Sequence, residues 1–326
     1  SLLLQRFHDQ NYILPEKIRM KNEPFKRESK YEGGKVLDPI KGFYDTCILV
    51  LDFNSLYPSI IREFNICFTT VNKEKPAAYE SKNSKINGIV PAIMRDLLEA
   101  RNQIKKERAQ LQKTAASLNP NSKDYKMITL DIGRLNIKEK AYKLLANSIY
   151  GYLAYKGSRF QSQELAALIT KQGRSILLDT VKTMQNMCGS ETAVIYGDTD
   201  SVMVNSAVTD VVQAKRKAEE LSNAISKKYR FLKLGIDYIF LKMLLVQKKK
   251  YAALVYKETE DKDHKIIRTT ELKRSGLDMV RRDWSIITKV MSEFIINQFM
   301  SDQEKDKAIS NILQELEAVS AILRNS

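Results

Sequence analysis

Two short apolar runs, Ala193-Val194-Ile195 and Val202-Met203-Val204, flank the segment Tyr196-Gly197-Asp198-Thr199-Asp200-Ser201. That pattern leaves the chain little choice but a β-hairpin with acidic residues at its tip. Carboxylates held on such a rigid tip can place divalent cations against phosphate oxygens, because Mg²⁺ takes hard oxygen ligands and shares its shell with substrate phosphates. Acidic turns are also common in loops that do no chemistry, so the hairpin gains meaning only beside a second acid. Cys47-Ile48-Leu49-Val50-Leu51 supplies one: it is continuously apolar, as a strand buried on both faces should be, and it stops at Asp52. A buried carboxylate is costly without a partner or a metal. Asp52 and Asp200 are therefore expected to converge on cations.

The rest of the chain reads as an α/β (α+β) protein. From 43 to about 70 the pattern is strand, turn and a short helical or irregular segment, followed by a polar stretch over 72–87. Pro91 sits near the first turn of a long helical pattern, where its missing N–H costs little. Ile93, Leu97, Ile104 and Leu111 recur there at helical spacing. Asn119-Pro120-Asn121-Ser122 breaks the pattern, and a second helix is expected over about 123–153, with Ile128, Ile132, Leu135, Tyr142, Leu145 and Ile149 as its main apolar positions. Two long helices with a short turn make an antiparallel helical hairpin. Further helices are expected over about 165–186 and 208–228, and a run at 234–246 precedes a second hairpin, 251–256 with 266–268, around a charged turn. From Trp284 the pattern is helical again, with Ser301-Asp302 read as the cap before Ile309, Ile312 and Leu316.

At this density the motifs carry a resemblance. Asp52-Phe53-Asn54-Ser55-Leu56-Tyr57-Pro58-Ser59-Ile60 resembles motif A of family B DNA polymerases, Lys143-Leu144-Leu145-Ala146-Asn147-Ser148-Ile149-Tyr150-Gly151 resembles motif B, and Tyr196 to Ser201 resembles motif C. Lys248-Lys249-Lys250-Tyr251 resembles the later basic motif, and the four occur in family order over nearly the whole chain. The wording at 63–70 and 276–284 is most similar to the alpha-type branch. The resemblance implies a right-hand fold: a mainly antiparallel palm sheet in two parts, 1–87 and 154–283, fingers over 88–153, and the start of a thumb over 284–326. Ala154-Tyr155, the segment 161–164 and Arg274-Ser275 depart from the family pattern, none of them at a proposed metal ligand.

The same resemblance implies roles. Asp52 and Asp200 would bridge two Mg²⁺ ions, with the backbone carbonyl of Phe53 completing one shell, while Asp198 stands between a catalytic and a structural role. Arg101, Lys105, Lys143 and Asn147 would bind the triphosphate, with the N–H groups of Ser55 and Leu56. Each pair stands four apart on one helix face, and guanidinium and ammonium groups suit phosphate. Tyr57 would exclude a 2′-hydroxyl, and Tyr150 with Gly151 would line the base-pair pocket. Lys248, Lys249, Lys250, Tyr251, Arg281 and Arg282 would contact the primer-template. Expected partners are a primed DNA template carrying an RNA–DNA primer, dNTPs, primase and an accessory B subunit, the last through a carboxy-terminal region. A nuclear location follows by the same resemblance, and the expected whole protein carries an exonuclease-like domain and a complete thumb.

Bulk composition agrees. The formal charge of +15 favours a polyanionic partner. Three scattered cysteines suit a reducing compartment rather than a disulfide framework or a zinc site. No stretch is apolar enough to span a bilayer. Alternatives left open are a catalytically silent or truncated polymerase-like scaffold that only binds nucleic acid, and a delta-like or viral family B enzyme.

Overall fold

The structure is a computed structural model and describes residues 2–14, 16, 32–71, 87–260, 266–277, 279 and 283–324. In chain order its elements are α1 (Leu2–His8), β1 (Gly42–Tyr44), β2 (Ile48–Phe53), α2 (Leu56–Glu63), α3 (Ile89–Ala116), α4 (Lys123–Ala154), α5 (Gln163–Cys188), β3 (Val194–Asp198), β4 (Ser201–Asn205), α6 (Val211–Lys227), β5 (Leu234–Gln247), β6 (Lys250–Glu260), β7 (Ile266–Ser275), α7 (Ile286–Met300) and α8 (Lys305–Arg324). The chain divides into two units: Ser1–Lys35 with Phe53–Leu178 and Ser226–Lys233, and Val36–Asp52 with Asp179–Ile225 and Leu234–Ser326.

The first unit is built on the helical hairpin. Pro91 lies in the first turn of α3, as its spacing predicts, and Ile93, Leu97 and Ile104 are buried. Ser122 starts α4 by accepting a hydrogen bond from the Tyr125 N–H at 3.1 Å, which satisfies one of the helix's unpaired donors. Along α4, Leu135 and Ile149 are buried, whereas Leu145 stays 49% exposed. Helix α4 packs mainly on α3, which covers one face and leaves apolar positions off that face, such as Leu145, in solvent.

The second unit is a sheet in the order β3-β4-β2-β5-β6-β7, with β1 also pairing β5. The β3–β4, β2–β4, β1–β5, β5–β6 and β6–β7 pairs are antiparallel. Ile48, Val50, Ile195, Met203, Phe240, Met243, Ala253 and Val255 form one buried cluster. Alternate positions along each strand reach the same face, which is how the apolar runs at 47–51, 193–195 and 202–204 become a shared core. On α6, Ala214, Ala218, Leu221 and Ile225 recur at helical spacing and are buried. Helix α7 lays Ile296 and Met300 over Ala252 of β6.

One expected cap is corrected. Ser301 closes the carboxyl end of α7, its N–H bonded to Asn297 O, and α8 begins only at Lys305, where the Ala308 N–H reaches Glu304 O at 2.9 Å. Lys242 Nζ explains the shift: it donates to the Ser301 carbonyl and to Asp302 at 3.0 Å, so the pair read as a cap is held against β5 instead. The expected charged tip at 258–265 becomes strand as far as Glu260, and 261–265 lies outside the described residues.

Candidate active site

The acid cluster belongs to the second unit. Asp52 lies one residue from the end of β2 and stands directly opposite Ser201 in the antiparallel β2–β4 register. Opposed Cα atoms in such a ladder are only about 5 Å apart. Asp198 also pairs Ser201, on the other side, so Thr199 and Asp200 alone form the turn between β3 and β4. The sheet thus carries Asp52 to the end where Asp198 and Asp200 sit.

That turn is strained. Thr199 takes φ 59°, a left-handed conformation that a β-branched residue rarely adopts, and the Asp200 N–H donates to the Asp198 carbonyl two residues back at 2.6 Å. A positive φ under such a bond is the geometry of the rarer γ-turn. Strain of this kind persists only where the surrounding structure over-determines it. Burial pushes the Asp200 carboxyl above its ordinary value; its own backbone N–H pulls it down, Asp198 and Asp237 add repulsion, and Lys249 offsets part of that. Asp237, on β5, is a second acid, after Asp198, in the field of Asp200, and the sequence reading missed it.

Asp198 is differently placed. Lys249 Nζ pairs with its Oδ2, the Tyr196 hydroxyl donates to the same oxygen at 3.3 Å, and Thr199 Oγ1 donates to Oδ1 at 3.2 Å. Lys249 sits with Lys248 in the two-residue turn between β5 and β6, at φ 64°, and its N–H donates to Tyr196 Oη at 3.0 Å. Burial, opposed by that N–H and reinforced by Asp198, pushes the Tyr196 phenol up to about 12. Lys248 Nζ reaches Asp38 at 2.7 Å, and the Tyr251 ring packs 6.0 Å from Phe240. The basic run is thus tied to acids at two of its positions. Arg281 and Arg282 lie outside the described residues.

The donor set at these tips fits hard cations. Two carboxylates, Asp52 and Asp200, with the carbonyl of Phe53 next in the chain, offer oxygen atoms alone, and burial, which raises the Asp200 carboxyl by penalising its charge, is what a bound cation offsets. Among the described residues no group of three or more His, Cys, Asp or Glu side chains is arranged to hold a metal.

The basic cluster belongs to the first unit. Arg101, Lys105 and Arg108 project from one face of α3 at helical spacing toward Glu139 of α4. Arg101 donates through Nε at 3.2 Å and Nη2 at 3.1 Å to Glu139 Oε1, and through Nη1 to Ser55 Oγ at 2.9 Å. Arg108 Nη1 reaches Glu139 Oε2 at 2.6 Å and Asn136 Oδ1 at 2.7 Å, and Lys105 Nζ lies 4.0 Å from Oε1. Burial raises the Glu139 carboxyl, but the hydrogen bonds from Arg101 and Arg108 outweigh it and hold it below its ordinary value. Burial lowers Lys105, helped by the neighbouring Arg101.

Ser55 itself is left-handed, φ 53° and ψ 57°, and precedes the first turn of α2, where the Leu56 N–H begins the helix. On α4, Lys143, Asn147 and Gly151 lie four apart on one exposed face, and a Cβ on Gly151 would meet nothing within 4 Å. The rings of Tyr57 and Tyr150 lie 4.5 Å apart, tilted by 35°. Glu139 and Arg108 were not among the sequence candidates; the only local signal was the spacing of four from Glu139 to Lys143.

A sequence model described as DNA polymerase family B matches residues 1–326. The chain is 40% identical over 347 residues to the DNA polymerase alpha catalytic subunit of Mus musculus, covering 97% of this chain and 22% of that protein. It is 41% identical over 300 residues to the protein of the same name from Oryza sativa subsp. japonica, covering 92% and 18%. It thus spans about a fifth of the length of these relatives. The structure of the family B DNA polymerase from the hyperthermophilic archaeon Pyrobaculum calidifontis shares the fold, with TM-score 0.64 and 24% identity over 99% of this chain and 38% of that one. Motif order, the mixed α/β architecture with its antiparallel sheet and the full-length family match converge on one assignment: the chain belongs to DNA polymerase family B.

Proposed function

We propose that this chain is the catalytic core of a template-directed DNA polymerase that adds deoxynucleotides to a primer 3′-hydroxyl. The observation that carries the reading is the β2–β4 register, which sets Asp52 against the strand that follows Asp200. Asp52 and Asp200, with the Phe53 carbonyl, would hold two Mg²⁺ ions, which when bound supply activation of the primer hydroxyl and neutralisation of charge on the transferred phosphoryl group. The chain's own groups do the remaining work. Asp198, already neutralised by Lys249, acts as a positioning group for that lysine rather than as a ligand.

Arg101, Lys105, Lys143 and Asn147 take the triphosphate tail, Arg101 through the N–H atoms not spent on Glu139 and Ser55. The N–H groups of Ser55 and Leu56 add donors at the start of α2, where the helix dipole favours an anion. Tyr57, with the tilted ring of Tyr150 against it, stands under the sugar and leaves no room for a 2′-hydroxyl, and the open flank of Gly151 admits the base pair. Lys248, Lys249, Lys250 and Tyr251, with Arg281 and Arg282, hold the primer-template by its phosphates, which positions a duplex without reading its sequence.

In this reading the helical hairpin is the fingers, the sheet and its helices the palm, and α7 and α8 the start of the thumb. By the same proposal the chain is an alpha-type enzyme, the type its relatives are named for, acting in the nucleus on RNA primers with primase and an accessory B subunit. Primer extension in Mg²⁺ tests the core of it. The unmodified protein extends a primed template, whereas Asp200→Asn binds the same DNA and does not; extension by that variant at the unmodified rate overturns the reading, and DNA binding with no extension by either protein favours the silent scaffold.

A further inference from the structure

Among the described residues Glu139 is the one carboxylate on which three of the hairpin's cations converge, and it is only 13% exposed at its side chain. Nothing in the polymerase reading gives it a task. Its geometry does. Both Nε and Nη2 of Arg101 are spent on Oε1, and Nη1 is spent on Ser55 Oγ, so the guanidinium is fixed at one edge and at one corner. Each terminal nitrogen retains one N–H. Arg108, on Oε2 at 2.6 Å, fixes the carboxylate in turn, and Asn136 at 2.7 Å fixes Arg108.

We propose that Glu139 is a positioning residue for nucleotide binding: it holds Arg101 over the Ser55–Leu56 loop in the orientation that receives the triphosphate, with Arg108 as its brace. The inference rests on the polymerase reading and deepens it at one subsite. The physical ground is preorganisation. A free arginine must surrender rotamer entropy when it binds phosphate, and a guanidinium already ordered by a carboxylate has surrendered it beforehand. Repulsion between Glu139 and the incoming phosphates opposes this. It is the weaker effect, because three cations around one carboxylate leave the cluster net positive.

The test is steady-state primer extension by the intact protein, varying dNTP at saturating primer-template. Glu139→Ala raises the KM for dNTP about tenfold, the factor that ~1.4 kcal/mol of lost preorganisation gives. The kcat and the Kd for primer-template stay within about twofold of the unmodified protein, a difference too small to count as lost binding energy. A merely structural role would do the reverse, lowering kcat through the active fraction and leaving KM alone. Glu139→Gln retains an acceptor for Arg101 but turns an N–H₂ toward Arg108, so its KM falls between the two, and it carries the test by itself if the alanine variant melts early. In an Arg101→Ala background Glu139→Ala adds nothing. An unchanged KM in both Glu139 variants, or an equal rise with and without Arg101, overturns the inference. An Arg101→Ala protein with unchanged KM faults the polymerase reading of the subsite instead, which separates the two failures.

Discussion

At the sheet tips the acids are placed by the main chain: the β2–β4 register sets Asp52, and a γ-turn at Thr199 sets Asp200. On the helical hairpin the cations are placed by side chains, Arg101 and Arg108 meeting on Glu139. Each cluster nevertheless carries an internal counter-ion, Lys249 on Asp198 in one and Glu139 in the other. The difference teaches what each region tolerates. A group fixed by backbone hydrogen bonds survives the loss of its neighbours' side chains, while Arg101 and Arg108 keep only one weaker polar partner each, Ser55 and Asn136, once Glu139 is removed.

The largest effect expected from breaking this comparison is at the backbone-fixed acids. Asp200→Asn keeps the turn and removes the charge, and the rate of nucleotide incorporation in single-turnover kinetics falls on the order of 10³-fold. Next is the main chain itself. A Cβ at Gly276 would lie 2.3 Å from the Lys249 carbonyl, and Gly276 has φ +58°. Gly276→Ala therefore destabilises the β5–β6 turn by ~2 kcal/mol, read as an earlier unfolding midpoint in urea with an unchanged slope. Arg101→Ala follows, raising the KM for dNTP about tenfold with a smaller change in kcat.

The smallest effect concerns pH. The Glu139 carboxyl is held below its ordinary value in the folded chain, so its ion pairs stabilise fully above the unfolded value of about 4.3 and are lost as pH falls through the lower folded value. The difference in melting temperature between the unmodified protein and Glu139→Gln is thus constant near neutrality and narrows below about pH 4.3. A difference that widens in acid would show that the carboxylate is not what stabilises the cluster.

Much of this was legible in the chain. Apolar runs that stop at an acid identify β2 and the β3–β4 hairpin, because a buried strand can shed a charge only at its end. Pro91 and Asn119-Pro120 punctuate the two long helices within a few residues of their observed ends. What stayed hidden is pairing across long separations. Glu139 is one of many charged residues on a polar helix, and only α3 beside it reveals three cations converging. Asp237 interrupts an apolar strand with no motif around it, so its proximity to Asp200 appears only when the sheet is assembled. Ser301 has the composition of an amino-terminal cap and instead ends the preceding helix, since Lys242 claims the segment. Lys248 and Lys249 read as a bare basic strip because the acids that meet them, Asp38 and Asp198, are remote in the chain.

The bonds from Lys249 to Asp198 and Tyr196 join two hairpins that are not adjacent in the sheet, since β2 runs between β4 and β5. Neighbouring strands can slide and coil against one another, but a strut thrown across an intervening strand resists that shear. Lys249 makes that strut with two different parts of itself: truncating its side chain would free the Asp198 carboxylate and delete a cation, while its main-chain N–H would still hold Tyr196.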